Sequence, residues 1–302
     1  MKYPAALAGA FPPGLRAQRG VVLKSDRELD LMQEAGRINA LALAAAACQA
    51  RPSVRTAELD EAAAEVLLRH GAKAAFLGYG GTIPYPAVTT ISVNEELVHG
   101  IPGDRRLLPG DIVSIDCGAV VEGFVGDSAL TLAVGEVSEE ARRLIEATLG
   151  ALLAGIEHMR PGQRTGDVSA AVQSTVEAAG FNVVREYTGH GVGRAMHEDP
   201  QVPNYGTAGT GLALKKGMTI ALEPMVLAGR PATHVLRDQW TVASLDSRLT
   251  AHFEHTVAVT ADGPRVLTSL PSGLDSGLPE GYNNYFAGWP MAREADRGSV
   301  GS

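Results

Sequence analysis

Two apolar runs, Asp111–Asp116 and Phe124–Val134, are joined through a turn at Glu122-Gly123, and no other feature narrows the fold as much. Apolar and β-branched residues on both sides of a glycine-containing turn predict an antiparallel hairpin. With the turn centred between Glu122 and Gly123, residues whose numbers sum to 245 lie opposite each other. Gly118 then faces Asp127, and Asp116 sits two residues from Gly118 on the same face. The two aspartates become diagonal neighbours, and Gly118 leaves room between them for an ion or its bound water. Carboxylates so placed repel unless a cation neutralises them. The plainer alternative is a surface hairpin with solvated aspartates, but the surrounding IVSID and GDSALTLAV stretches are apolar.

Helices are expected on each side of this hairpin. Ser25-Asp26-Arg27-Glu28 forms a capping-box pattern, with Leu29, Met32, Ala35 and Ile38 at helical spacing, and the helix runs to about Gln49. A second helix is predicted from Thr56, as its cap, to His70, with Gly71 as its stop. Gly78–Pro86 is loop, and Thr89–Val93 is a strand. Leu144–Met159 and a segment from Thr165 to Gly180 predict two more helices. Val183–Thr188, Met218–Val226, Trp240–Ser244 and Phe253–Thr260 predict strands. The order helix, helix, strands thus occurs twice, which predicts two similar halves with helices outside and strands inside. Residues 1–22 read as a leader, 23–268 as a single domain, and 269–302 as a polar, Gly- and Pro-rich tail.

Further candidates lie in the second half. Tyr187–Glu198 sets His190 and His197 seven residues apart around a glycine-rich turn, with His190 following a strand-like segment. Glu223 lies in the apolar run TIALEPM, too apolar to hold a free carboxylate cheaply, so it is either a ligand or half of a buried pair with an arginine. Glu254 enters another apolar run. Asp116, Asp127, His190, Glu223 and Glu254 together make an oxygen-rich set with one imidazole, suited to a pair of Mn, Fe, Co or Zn ions. His70, His158 and His234 read as ordinary surface or packing residues.

Charge and hydropathy exclude several classes. The chain has 302 residues and a formal net charge of −8, with its lysines and arginines scattered, so it carries no basic footprint for nucleic acid. The opening apolar run is too short for a signal sequence, and Arg37 and Arg51 bound the apolar helix around Leu41–Ala47, so no bilayer span is expected. Two cysteines, Cys48 and Cys117, give no disulfide framework, and the cytoplasm is the expected compartment.

The segments SVNEELVHGIP (92–102), DIVSIDCGA (111–119), GFVGDSALT (123–131), TGHGVGRAMHEDPQVPNYG (188–206), LEPM (222–225) and DQWTVASLDSRLTAHFEHT (238–256) occur in this order. Taken together, the chain from about residue 22 to 268 resembles type I methionine aminopeptidases of the pita-bread metallopeptidase family. The resemblance implies an α+β pita-bread fold, in which two pseudo-symmetric halves build an antiparallel β-sheet core covered by helices. It implies two divalent ions bridged by Asp127 and Glu254, with Asp116 on one ion and His190 and Glu223 on the other. It makes Glu223 a proton shuttle and places His99 near the scissile amide and the substrate amine. His197 would hydrogen-bond the peptide carbonyl, while Tyr85 and Trp240 would shape the methionine pocket. The implied substrates are nascent chains and peptides beginning with Met, met by a monomer that associates with the ribosome.

The chain departs from the family pattern at several points. Leu77–Thr90 looks a few residues longer than usual, Thr90 stands where a pocket cysteine is common, and Gly118 replaces a hydroxyl found in some members. His252, two residues before Glu254, is placed to add a contact behind the ligands. The proline-directed branch of the fold normally carries an extra N-terminal domain. Type II enzymes carry an insertion between His197 and Glu254 that is not present here. A binding module that has lost its ligands would not keep all five.

Overall fold

The structure is a computed structural model and describes residues 20–80 and 82–270. Helices α1 (Asp26–Ala47) and α2 (Thr56–Arg69) precede strands β1 (Lys73–Ala74), β2 (Thr89–Val93), β3 (Glu96–Val98), β4 (Ile112–Val121) and β5 (Phe124–Ala133). Helices α3 (Glu139–Glu157) and α4 (Thr165–Ala178) precede β6 (Asn182–Val183), β7 (Thr188–Gly191), β8 (Glu198–Pro203), β9 (Thr219–Leu222) and β10 (Met225–Leu227). The last strands are β11 (Thr233–Val235), β12 (Val242–Ser244), β13 (Thr250–His252), β14 (Glu254–Thr260) and β15 (Gly263–Val266).

The main sheet runs β1-β4-β5-β14-β9-β7-β8, with β2 added on β4 and β15 on β14. Smaller sheets, β13-β10-β6 and β11-β12-β3, lie beside it. Every pairing among the described residues is antiparallel. Helix α1 packs on β4 and β5, α2 packs on α1, β1 and β2, and α3 packs against β5, β9, β10, β13 and β14. The two halves meet where β5 pairs with β14.

Local chemistry explains these elements. Ser25 accepts from the Glu28 N–H while the Glu28 carboxylate accepts from the Ser25 N–H, so the first turn of α1 is capped from both sides. Leu29, Met32, Ile38 and Leu43 face inward at helical spacing. A side chain on Gly36 would collide with the Leu267 carbonyl, and one on Gly126 of β5 would collide with the α1 backbone at Gly36. That contact, and Asn39 donating to Ser128 Oγ at 2.8 Å, fix which face of β5 looks at the helix. Asp127, between these two residues, must face the other way.

Several expected boundaries move. The α3 helix starts at Glu139, five residues before Leu144, because Ser138 caps it on the Ala141 N–H. Arg55, not Thr56, is the N-cap residue of α2, while α4 opens at Thr165 as expected, with Arg164 as its N-cap. Thr56 instead bonds Gly103 through its hydroxyl, and Thr165 accepts from the Leu212 N–H. The hairpin strand extends from Ile112 to Val121 rather than ending at Asp116. Val183–Thr188 is not one strand: β6 pairs with β10, while β7 pairs with β8 and β9 and contains His190 itself. Met218–Val226 breaks at Glu223-Pro224, since proline has no N–H to continue a ladder. Strand structure begins at Val242 rather than Trp240, and at Glu254 rather than Phe253. The leader and tail fall almost wholly outside the described residues, as does Gly81. No helix among the described residues is long and apolar enough to cross a membrane.

Asp60 of α2 ties the helix layer to the start of β2. Its Oδ1 accepts from the Val88 N–H (3.1 Å), the Thr89 N–H (2.7 Å) and the Thr89 hydroxyl (2.7 Å). Its Oδ2 is buried without a partner. Burial pushes this carboxyl up to about 6, against the opposing pull of the Thr89 hydrogen bonds. The folded chain therefore holds the proton more tightly than the unfolded chain, whose carboxyl titrates near 4. Stability from this group is full below about pH 4 and is lost as pH rises through 6. The expected result is a gap of about 2 kcal/mol between the pH 4-to-7 stability changes of wild type and Asp60→Asn, read by urea unfolding. Parallel pH profiles would contradict it.

Candidate active site

The hairpin turn consists of Glu122 and Gly123, both in the left-handed region (φ 49° and 79°), which is the twist a two-residue hairpin needs. The register follows as expected, with Gly118 opposite Asp127 and Asp116 opposite Ala129. Glu254 on β14 is also opposite Ala129, from the other side. One row across the sheet therefore reads Asp116, Ala129, Glu254, and Asp127 lies diagonally between the two acids. Gly118 serves a different purpose from the one its position suggested. A side chain there would strike Ala75 and Phe76, so its hydrogen admits the pocket wall rather than an ion.

His190 lies opposite Ala221, and β14 lies between β9 and β5. Three strand spacings would separate the Asp127 and His190 backbones by about 14 Å in a flat sheet. Yet His190 Nε2 is 4.0 Å from Asp127 Oδ2 and 3.4 Å from Glu223 Oε1. The sheet curls to bring its two wings together. Glu223 reaches the same point from the break between β9 and β10, and its neighbours are histidines rather than the arginine of the alternative reading. His252 Nε2 backs the acids from β13, 3.7 Å from Glu223 and 3.9 Å from Glu254.

These acids are costly to ionise where they lie. Burial first, then the neighbouring acids, hold Asp116, Glu223 and Glu254 well above the usual carboxylate range. Burial lifts Asp127 to about 7, against a hydrogen bond with Glu254. Burial pushes His190 and His252 down to about 3, so both rings are neutral and their contacts with the acids are not ion pairs. His190 Nδ1 lies 2.9 Å from the Gly191 carbonyl and donates to it, which leaves the Nε2 lone pair toward the carboxylates. Asp116 Oδ1 and Asp127 Oδ1 are buried with no hydrogen-bond donor among the described residues. Asp127, His190 and Glu254 offer ligand atoms that all lie within 4.8 Å of one another. A neutral imidazole aimed at buried like-charged carboxylates is a donor set that a divalent cation satisfies.

A cavity of about 120 Å³ opens on this cluster. Its walls include all five candidate ligands together with His99, His197, Tyr85, Trp240 and Thr90. His99 has a left-handed backbone (φ 60°), uncommon for a residue with a side chain, and burial lowers its ring to about 4. Tyr85 donates to the Gly100 carbonyl at 2.8 Å, next to His99, and meets Trp240 edge-on at 5.2 Å. Trp240 Nε1 in turn donates to the Ile83 carbonyl at 3.1 Å. Phe76, Tyr79 and Met196 also line the cavity, and sequence reasoning did not select them. Only the tertiary fold brings Tyr79 to His197.

The turn carrying His197 is pinned from below. Buried Glu198 accepts from the Arg194 and Ala195 N–H groups and pairs with buried Lys24 at 2.6 Å. Removing one member of a buried pair strands the other. Lys24→Met is expected to cost about 3 kcal/mol, a fall of roughly 10 °C in Tm. Adding Glu198→Gln should restore part of that loss, and an unchanged Tm in the single variant would refute the pinning role.

The curled antiparallel sheet and buried acidic cluster are those of a metallopeptidase of the pita-bread class. A family profile, metallopeptidase family M24, matches residues 30–261, and the chain belongs to that family. Within it, the chain is 47% identical over 250 residues to methionine aminopeptidase 1 of Bacillus subtilis, covering 83% of this chain and 100% of that one. The methionine aminopeptidase of Thermotoga maritima superposes with a TM-score of 0.80 at 45% identity, over 82% of this chain and 99% of the other. Prolidase from Pyrococcus furiosus shares the fold (TM-score 0.67, 24% identity, 83% of this chain and 66% of that one).

Proposed function

We propose that this chain is a type I methionine aminopeptidase that removes the N-terminal methionine from peptides and nascent proteins. The observation that carries this reading is the convergence of five acid and imidazole side chains from both halves on one cavity, in a chain 47% identical to a named methionine aminopeptidase. Asp116, Asp127, His190, Glu223 and Glu254 would hold two divalent ions, drawn from Mn, Fe, Co or Zn. When bound, such ions acidify a water and polarise the scissile carbonyl. Glu223, at the strand break, is placed to take a proton and pass it to the leaving nitrogen. His197 donates a hydrogen bond to the carbonyl oxygen as charge develops there. His99, which lines the same cavity, would approach the scissile amide and the free amine, and Trp240 backed by Tyr85 would wall the methionine side chain.

Release of methionine from Met-Ala-Ser, with and without chelator, tests the reading. Chelator-sensitive release is expected. Cleavage confined to X-Pro peptides would assign the chain to the prolidase branch, and no release at all would refute the proposal.

A further inference from the structure

Tyr79 lies in the loop between β1 and β2, and its hydroxyl is 2.7 Å from His197 Nδ1. The rings are tilted by 46° with centroids 5.5 Å apart, so the contact is hydroxyl to ring edge rather than a stack. The loop holds this tyrosine firmly. The Tyr79 N–H donates to Phe76 (2.8 Å), and its carbonyl accepts from the Tyr85 N–H (2.8 Å). Gly80 follows in the left-handed region (φ 97°), packed so close to the Trp240 indole that a side chain there would overlap it at 2.8 Å. The tyrosine is thus clamped between its own turn and the pocket tryptophan. Across the cavity, His197 lies against His190, with ring centroids 4.2 Å apart.

We propose that Tyr79 is a positioning residue for His197: its phenol donates to Nδ1, which fixes the neutral ring with its proton on Nε2. A neutral imidazole carries one proton, and its two nitrogens therefore have opposite roles. With Nδ1 occupied as an acceptor, Nε2 on the far edge of the ring becomes a donor. That is the form needed to hold a carbonyl oxygen, because an Nε2 lone pair would repel it. The reverse arrangement, Nδ1–H donating to the phenol oxygen, would leave His197 with no hydrogen to offer substrate. This inference rests on the carbonyl-binding role given to His197 above. It extends that role to the residue that selects the tautomer.

The test is 15N NMR of histidine side chains in the full-length chain, zinc-loaded and again after chelation, with His197→Gln identifying the resonances. Wild-type His197 is expected as the Nε2–H tautomer in both states. In Tyr79→Phe the His197 signals should move toward a tautomer mixture, kcat on Met-Ala-Ser should fall about 10-fold, and KM and Tm should change little. An Nδ1–H tautomer in the wild type, or a Tyr79→Phe spectrum and kcat both unchanged, would overturn the proposal. If the wild type shows the expected tautomer but releases no methionine, the assigned activity fails while the tyrosine–histidine contact stands.

Discussion

Asp127→Asn is expected to lower kcat/KM by about 10³-fold or more while making the metal-free protein more stable. The activity loss follows from Asp127's diagonal place between Asp116 and Glu254, from which it would serve both ions. Several kcal/mol of charge stabilisation depend on them, and each 1.36 kcal/mol is tenfold in rate. The stability gain follows from the same position. Asp127 raises the cost of ionising Glu223 and Glu254, and asparagine keeps the shape while removing the charge. Steady-state kinetics on Met-Ala-Ser and thermal melts in chelator measure the two effects. A variant that is inactive and also less stable in chelator would mean that Asp127 supports the hairpin rather than the ions.

Chelation of the wild type should abolish methionine release and lower Tm, and returning a divalent ion should reverse both. At a free metal concentration a thousandfold above Kd the bound state gains about 4 kcal/mol, roughly 10 °C for a domain of this size. The effect should depend on pH with a definite sign. In metal-free protein the raised carboxyl of Asp127 stabilises the fold while protonated, and that contribution is lost as pH rises from about 4 through 7. Metal needs the same group deprotonated. The Tm of chelated protein should therefore fall between pH 6 and 8, and the gap to loaded protein should widen. A gap that narrows over that range would argue against Asp127 as a ligand.

Much of this site was legible in the sequence, for identifiable reasons. The hairpin register depended only on where a two-residue turn falls, and Glu122-Gly123 marks it unambiguously. Ordered motifs placed His190, Glu223 and Glu254 in the same cavity although they lie far apart along the chain. The failures came where tertiary contacts override local pattern. Glu223 looked like a mid-strand residue, yet Pro224 breaks the ladder and lets the carboxylate turn inward. Gly118 looked like a space for an ion, and is instead a space for Ala75 and Phe76. Tyr79 carried no signal, because its partner lies 118 residues away. The first turn of α3 carries little sequence signal, because Glu139 and Glu140 are polar and the apolar spacing becomes clear only later.

The seam between β5 and β14 has a consequence for biogenesis. Only two residue pairs bridge it directly, and Thr256 reinforces it by accepting from the Asp127 N–H and donating to the Asp127 carbonyl. Asp116 and Asp127 lie on one side of this seam, and His190, Glu223 and Glu254 on the other. During synthesis the two acids of the first half emerge before their counterparts in the second. The cavity can therefore be completed only after the chain has been synthesised through Glu254, the last of the five candidate ligands that line it.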